Sequence, residues 1–119
     1  TGMNAERILI ASECLGDADW FIKTASNYAR ERKVFGRPIG QNQGVQFPIA
    51  RAYADTKAAK LMVAEACRLY DAGEPCGAEA NMSKMLASEA AWAAGEACLQ
   101  THGGFGFADQ PRPLLHRRA

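Results

Sequence analysis

The chain has 119 residues, 48% of them hydrophobic and 23% charged, with a formal net charge of +1. That length fits one domain with a real core, and the near-neutral balance argues against a general polyanion or nucleic-acid binder, so any basic function has to be local. No apolar run approaches the roughly 18 residues of a membrane span, and the opening TGMNAERILIA lacks the basic stretch and small-residue cleavage site of a secretory leader.

The cysteines Cys14, Cys67, Cys76 and Cys98 show no C-x-x-C spacing and fall mostly in helical stretches, where a free thiol behaves as a small apolar group. A reducing, cytoplasmic setting is expected. Thr1-Gly2 ahead of Met3 is not a natural translation start, so the chain is expected to be a piece of something longer.

In chain order, the first helix is expected over about 4–33. Ile8, Ala11, Leu15, Ala18, Ile22, Ala25 and Ala29 alternate at spacings of three and four, which puts them on one helical face. Asn4 is the natural N-cap, and Glu6 then falls in the first turn, where unpaired N–H groups and the dipole favour a carboxylate. Gly16 marks a point where another backbone could come close. The second helix is expected over about 42–72, with Gln41-Asn42 able to cap it and Pro48 tolerable only in its first turns. Ile49, Ala52, Thr56, Ala59, Val63, Ala66 and Tyr70 repeat the alternation, while Leu61, Met62 and Leu69 widen the face enough to suggest burial on two sides. Asp71-Ala72-Gly73-Glu74-Pro75 ends it with turn chemistry. The third helix, about 77–101, is alanine-rich, with Met82, Leu86, Ala90, Ala93 and Ala97 on one face and Trp92 on a flank. His102 opens an irregular tail, 102–119. No strand pattern is legible, so the fold class is all-α: an up-and-down antiparallel bundle of three long helices in a single domain.

Two stretches stand out against this background. Arg30, Arg32, Lys33 and Arg37 gather positive charge, while Phe35-Gly36 and Pro38-Ile39-Gly40 break the helix among them. Such a loop can grip an anion, although from charge alone a solvated helix C-terminus, its cations complementing the dipole, is the simpler reading. The glycine cluster at 103–106 follows a helix and opens no βαβ unit, so a Rossmann loop fails and a helix stop is simpler; Gln100 likewise reads as a helix-end residue. His102 and His116 have no Cys or carboxylate partners at ligand spacing, which sets a metal site aside. Ser12, Ser26, Ser83 and Ser88 lie in helical runs without nucleophile-elbow glycines, so no serine nucleophile is supported.

Four motifs in order then carry a resemblance over residues 3–108. They are Tyr28-Ala29-Arg30-Glu31-Arg32-Lys33-Val34-Phe35-Gly36-Arg37-Pro38-Ile39, then Gln43 with Gln46, then Ala80-Asn81-Met82-Ser83-Lys84 with Ala87-Ser88-Glu89-Ala90, then Gln100-Thr101-His102-Gly103-Gly104-Phe105-Gly106-Phe107. Together they resemble the C-terminal helical domain of the acyl-CoA dehydrogenase family. The resemblance implies a flavoenzyme that oxidises the Cα–Cβ bond of an acyl-CoA thioester, in fatty acid or amino acid catabolism, with FAD as the hydride acceptor. It further implies a three-domain protein, of which this is the last domain, assembled as a homo-oligomer, a dimer or tetramer, through the bundle. An electron-transfer flavoprotein-like acceptor is compatible with it, as is a mitochondrial-matrix location in a eukaryote. By the same resemblance Arg32 reaches the FAD pyrophosphate of a neighbouring subunit and Phe35 packs near that cofactor. Asn42, Gln43, Gln100, Gly103 and Gly104 line its ADP half. The chemistry suits those roles: a guanidinium fork matches paired phosphate oxygens, amides match adenine and ribose edges, and glycines let the backbone approach.

The base that removes the α-proton lies, in most relatives, beyond the end of this chain. A subset resembling isovaleryl-CoA and long-chain dehydrogenases places it directly before an arginine of the first C-terminal helix, here Glu6 ahead of Arg7, with Arg7 organising the site. Without the family, Glu6 is an ordinary first-turn carboxylate. Three departures stand beside the match. The two preceding domains are absent, so the isolated chain is expected to be inactive. Val34 replaces a hydroxyl residue seen in some members. After Phe107 the pattern decays, and Gln110 to Ala119 reads as a truncated or altered ending short of the last family helix. The alternative of another class is a non-catalytic oligomerisation or interaction module derived from the same scaffold.

Overall fold

In the computed structural model, which describes residues 2–31, 33–34, 37–38 and 43–103, the periodic runs form α1 (Gly2–Glu31), α2 (Gln43–Asp71) and α3 (Gly77–His102). Between α1 and α2 the chain forms a small antiparallel ribbon, β1 (Lys33–Val34) against β2 (Arg37–Pro38), with Lys33 opposite Pro38 and Val34 opposite Arg37. The ribbon corrects the strand-free reading and ends α1 at Glu31 rather than Lys33. Val34 is β-branched, and Arg37, ahead of a proline, is held off helical backbone. Strands of two residues leave the all-α class intact.

Inside the bundle the spacing argument holds for α1: Ile8, Ala11, Leu15, Ala18, Ala25 and Ala29 are buried, and Ile22 is partly so. These positions repeat every seven residues, as do Ala80, Ala87, Ala94 and Thr101 with Ser83, Ala90 and Ala97 on α3. A seven-residue repeat falls slightly short of two helical turns, a spacing that favours a gentle left-handed wrap of helices around one another. Most buried apolar side chains among the described residues are alanine, with Ile8, Leu15 and Val63 the large ones. Small seams let helix axes approach at the short end of their usual range, about 8 Å.

That seam also overturns part of the sequence reading. On α3 the expected Ala90 and Ala97 are buried and Leu86 packs partly buried against the core, but Ser83, Ala87 and Ala94 are also buried, Met82 is exposed and Trp92 is 73% exposed. On α2, Leu61 is 67% exposed and Tyr70 46%, so the helix is buried on one side, not two. Hydrophobicity singles out large residues, whereas close helix packing selects small ones and leaves the large ones outside. Asn4 is within α1, because Met3 is a good helix former and carries the helix back to Gly2; Glu6 consequently lies beyond the first turn. Gly16 meets no other atoms, and the close approach occurs at Gly95, where the Phe21 ring lies 3.4 Å from where a Cβ would stand.

Helix direction follows from the clusters. Ile8 and Leu15 pack with Val63, Ala66, Ala80 and Ala87; Ala18 with Ala52 and Ala94; Ala25 with Cys98 and Ile49. Thus α1 and α3 run parallel and α2 runs antiparallel to both. The turn from α2 to α3 is closed by Gly73 at φ 74, with Glu74 N–H donating to Leu69 O (2.9 Å) and Gly73 N–H to Tyr70 O (3.1 Å). This pair of bonds satisfies the last carbonyls of α2, and Pro75 follows where the helix cannot continue. The bundle therefore has a loop end, where α1 and α3 finish and α2 starts, and a turn end around Gly73.

Candidate functional site

Three helix termini converge at the loop end. Arg30 stands in the last turn of α1, where a cation meets unpaired carbonyls, and its guanidinium donates to Asn27 Oδ1. The first turn of α2 contains no acidic residue, so its N–H groups have no first-turn carboxylate competing for them. Between the two helices opens a cleft of about 390 Å³, walled by Ile22, Ser26 and Arg30 from α1 and by Gln46, Ile49 and Tyr53 from α2. Its walls are mainly apolar with a hydroxyl, an amide, a phenol and a guanidinium among them, and the described residues that line it include no carboxylate. Such a surface accepts a flat ring with polar edges and tolerates negative charge.

The end of α3 is held by three local bonds. Thr101 Oγ1 donates to Ala97 O (2.7 Å), His102 Nδ1 lies 2.8 Å from Cys98 O, and Gly103 N–H donates to Gln100 O. A carbonyl can only accept, so Nδ1 of His102 carries the hydrogen. Gly103 has φ 57 and ψ −133, a backbone that a side chain would strain, so the turn itself requires glycine there. Cys98 is fully buried and packs with Ala25; burial pushes its thiol pKa up to about 12, which makes it an inert packing group. The rings of Tyr28 and His102 stack with centroids 4.1 Å apart and planes 29° apart.

Of the residues expected to bind a cofactor, Gln43 is the first residue of α2, Gln100 is exposed on the last turn of α3, and Gly103 follows it, all at the loop end. Arg32, Phe35, Asn42 and Gly104 lie outside the described residues. Glu6, exposed, and Arg7, half-buried, are at the turn end. Residue 6 precedes residue 30 by 24 positions of one continuous helix, or about 36 Å at 1.5 Å per residue. Glu6 is therefore far from the loop end of its own chain, and among the described residues it stands exposed. Sequence reasoning missed Ser26, Tyr53 and the Tyr28–His102 pair. Aligning the parallel α1 and α3 repeats, with Ala25 beside Cys98, sets residue 28 opposite 102 one turn later, which was the available signal.

Among the described residues no cluster of His, Cys, Asp or Glu could hold a metal ion, and no helix is long and apolar enough to cross a membrane. The family described as "Acyl-CoA dehydrogenase, C-terminal domain" matches residues 1–119. An acyl-CoA dehydrogenase of Bacillus subtilis is 41% identical over 118 residues, which cover 98% of this chain and 31% of that protein. Butyryl-CoA dehydrogenase of Megasphaera elsdenii superposes with a TM-score of 0.85 at 28% identity, over 88% of this chain and 27% of that one. The protein PigA, solved with FAD and proline, gives a TM-score of 0.86 at 30% identity, over 91% of this chain and 28% of that one. The chain thus spans less than a third of the length of the relatives it matches.

Proposed function

The chain belongs to the acyl-CoA dehydrogenase family, as its C-terminal domain, and on that premise we propose that its loop end binds the ADP half of FAD. The parent enzyme would remove two hydrogens from the Cα–Cβ bond of an acyl-CoA thioester to give the 2-enoyl-CoA. One observation carries this reading: the up-down-up course of the bundle brings the end of α1, the start of α2 and Gly103 after α3 to the same end, although they are far apart in sequence.

The described residues fit such a group. The cleft pairs apolar walls with a hydroxyl and an amide, the first turn of α2 is free of acids, and Gly103 presents bare backbone with nothing within 4 Å of where a Cβ would stand. FAD, when bound, supplies the hydride acceptor. Arg32 would hold the pyrophosphate with its guanidinium fork and Phe35 would pack beside the cofactor. Asn42, Gln43 and Gln100 would hydrogen-bond adenine and ribose edges, and Gly103 and Gly104 would let the backbone approach. At the turn end, Glu6 would take the α-proton on a carboxylate oxygen, with Arg7 orienting it. Because Glu6 and Arg30, near the two ends of α1, are about 36 Å apart, Glu6 and the cofactor-binding residues of one chain would serve different flavins, in a homo-oligomer, a dimer or tetramer. An electron-transfer flavoprotein-like acceptor and a cytoplasmic location, or the mitochondrial matrix in a eukaryote, complete the reading.

The exposed Leu9, Leu61, Met85 and Trp92 favour a second reading, a helical oligomerisation module without catalysis. Purification separates the two. A yellow protein with a flavin absorbance band supports the enzyme reading, and a colourless, stable oligomer that ignores added FAD supports the module.

A further inference from the structure

The two walls of the loop end belong to different helices, and something has to fix one against the other. Gly103 cannot do so: it has no side chain, and nothing lies within 4 Å of where its Cβ would be. Its position is inherited from His102, the last residue of α3. His102 is constrained from two directions, by the Nδ1 bond to Cys98 O in its own helix and by the Tyr28 ring, 4.1 Å away on α1. Tyr28 lies one turn before the end of α1, two residues ahead of Arg30 and four ahead of Arg32. Immediately below, Cys98 packs on Ala25 and fixes the helix spacing from which the rings project.

We propose that His102 is a positioning residue of the cofactor end: held on Tyr28 and on Cys98 O, its ring sets where the glycine turn stands relative to the α1 terminus that leads into the basic loop. The inference rests on the FAD reading of this end. Both rings are half-buried, so the stack joins the α1 and α3 termini at the edge of the bundle, outside the buried seam that supports the helices. Loosening it moves the turn without removing core contacts, so affinity for a ligand that spans both walls should fall more than fold stability does.

The test is a flavin-fluorescence titration of FAD into the apoprotein of the full-length enzyme carrying this domain, alongside its thermal unfolding. Tyr28→Ala and His102→Ala are each expected to weaken FAD by about ten-fold. The losses should be clearly less than additive in the double variant, because the stack is lost only once. Tyr28→Phe keeps the ring and should restore affinity to within about three-fold of wild type. Unfolding midpoints of the apoproteins should stay within a few degrees of each other. Wild-type binding with unaltered variants would overturn the inference alone, as would losses that simply add in the double variant or that follow the drop in melting temperature. A wild-type protein that does not bind FAD would overturn the site reading and this inference together.

Discussion

The two ends of the bundle are built from the same three helices and differ in almost everything else. At the turn end the chain reverses through a compact pair of backbone bonds at Gly73, Cys76 begins α3 without a side-chain cap, and Glu6 stands exposed. At the loop end a basic last turn, an acid-free first turn, an apolar cleft with polar edges and a ring stack meet. The residues proposed for one reaction, Glu6 at one end and Gln43, Gln100 and Gly103 at the other, are thus divided between opposite ends of the bundle. On the proposed reading a single chain would hold two half-sites, each of which would need another chain, or the preceding domains, to be complete.

The sharpest way to break that contrast is to disable each end separately in the full-length enzyme. Glu6→Gln should reduce substrate-dependent flavin bleaching by about 10³-fold while FAD remains bound, the effect of losing a general base; undiminished bleaching would remove Glu6 from the mechanism. Arg32→Ala should act the other way, weakening FAD by about 30- to 100-fold through loss of a charge-assisted bidentate contact. Equal FAD affinity by titration would rule that contact out.

Smaller effects probe the seam connecting the ends. Burial raises the Cys98 pKa from 9.0 to about 12, so the native state keeps its thiol proton where the unfolded chain has lost it. Its contribution is therefore fully present below about pH 9 and declines as pH rises from 9 towards 12. Denaturant titrations at pH 8 and pH 10.5 should show wild type losing more stability than Cys98→Ala, and parallel losses would contradict the burial argument. Smallest is Ser83→Ala. The Ser83 hydroxyl is fully buried with no hydrogen-bond partner among the described residues, so removing it should leave stability unchanged or raise it by about 1 kcal/mol. A clear loss would mean that the hydroxyl has a partner after all.

Much of this was legible in the sequence, and the exceptions share a cause. Three- and four-residue spacing located all three helices and the buried face of α1, because Ile8, Leu15 and the alanines between them mark one stripe. The same rule held only in part on α3: Leu86 packs against the core, but Met82 looks more core-like than Ser83 and yet is exposed, because tight packing rewards small volume over hydrophobicity. Motif residues such as Gln43, Gln100 and Gly103 were identifiable one by one, yet their gathering at one end depends on helix direction, which local periodicity does not encode. The Tyr28–His102 stack required the register between two helices that are separated in sequence by the whole of α2. The cap assigned to Asn4 failed because a good capping residue also fits inside a helix when the residues ahead of it already favour one.

The division of labour between the ends is tested most directly by subunit complementation. Full-length Glu6→Gln and Arg32→Ala proteins, each inactive at limiting FAD, are unfolded, mixed, refolded together and assayed for acyl-CoA dehydrogenation. Each mixed pair should contain one competent site, with the base from one chain and the arginine from the other, so activity should return in the mixture and stay absent when either variant is refolded alone. Hybrid oligomers that form but remain inactive would contradict the claim that one chain serves two flavins.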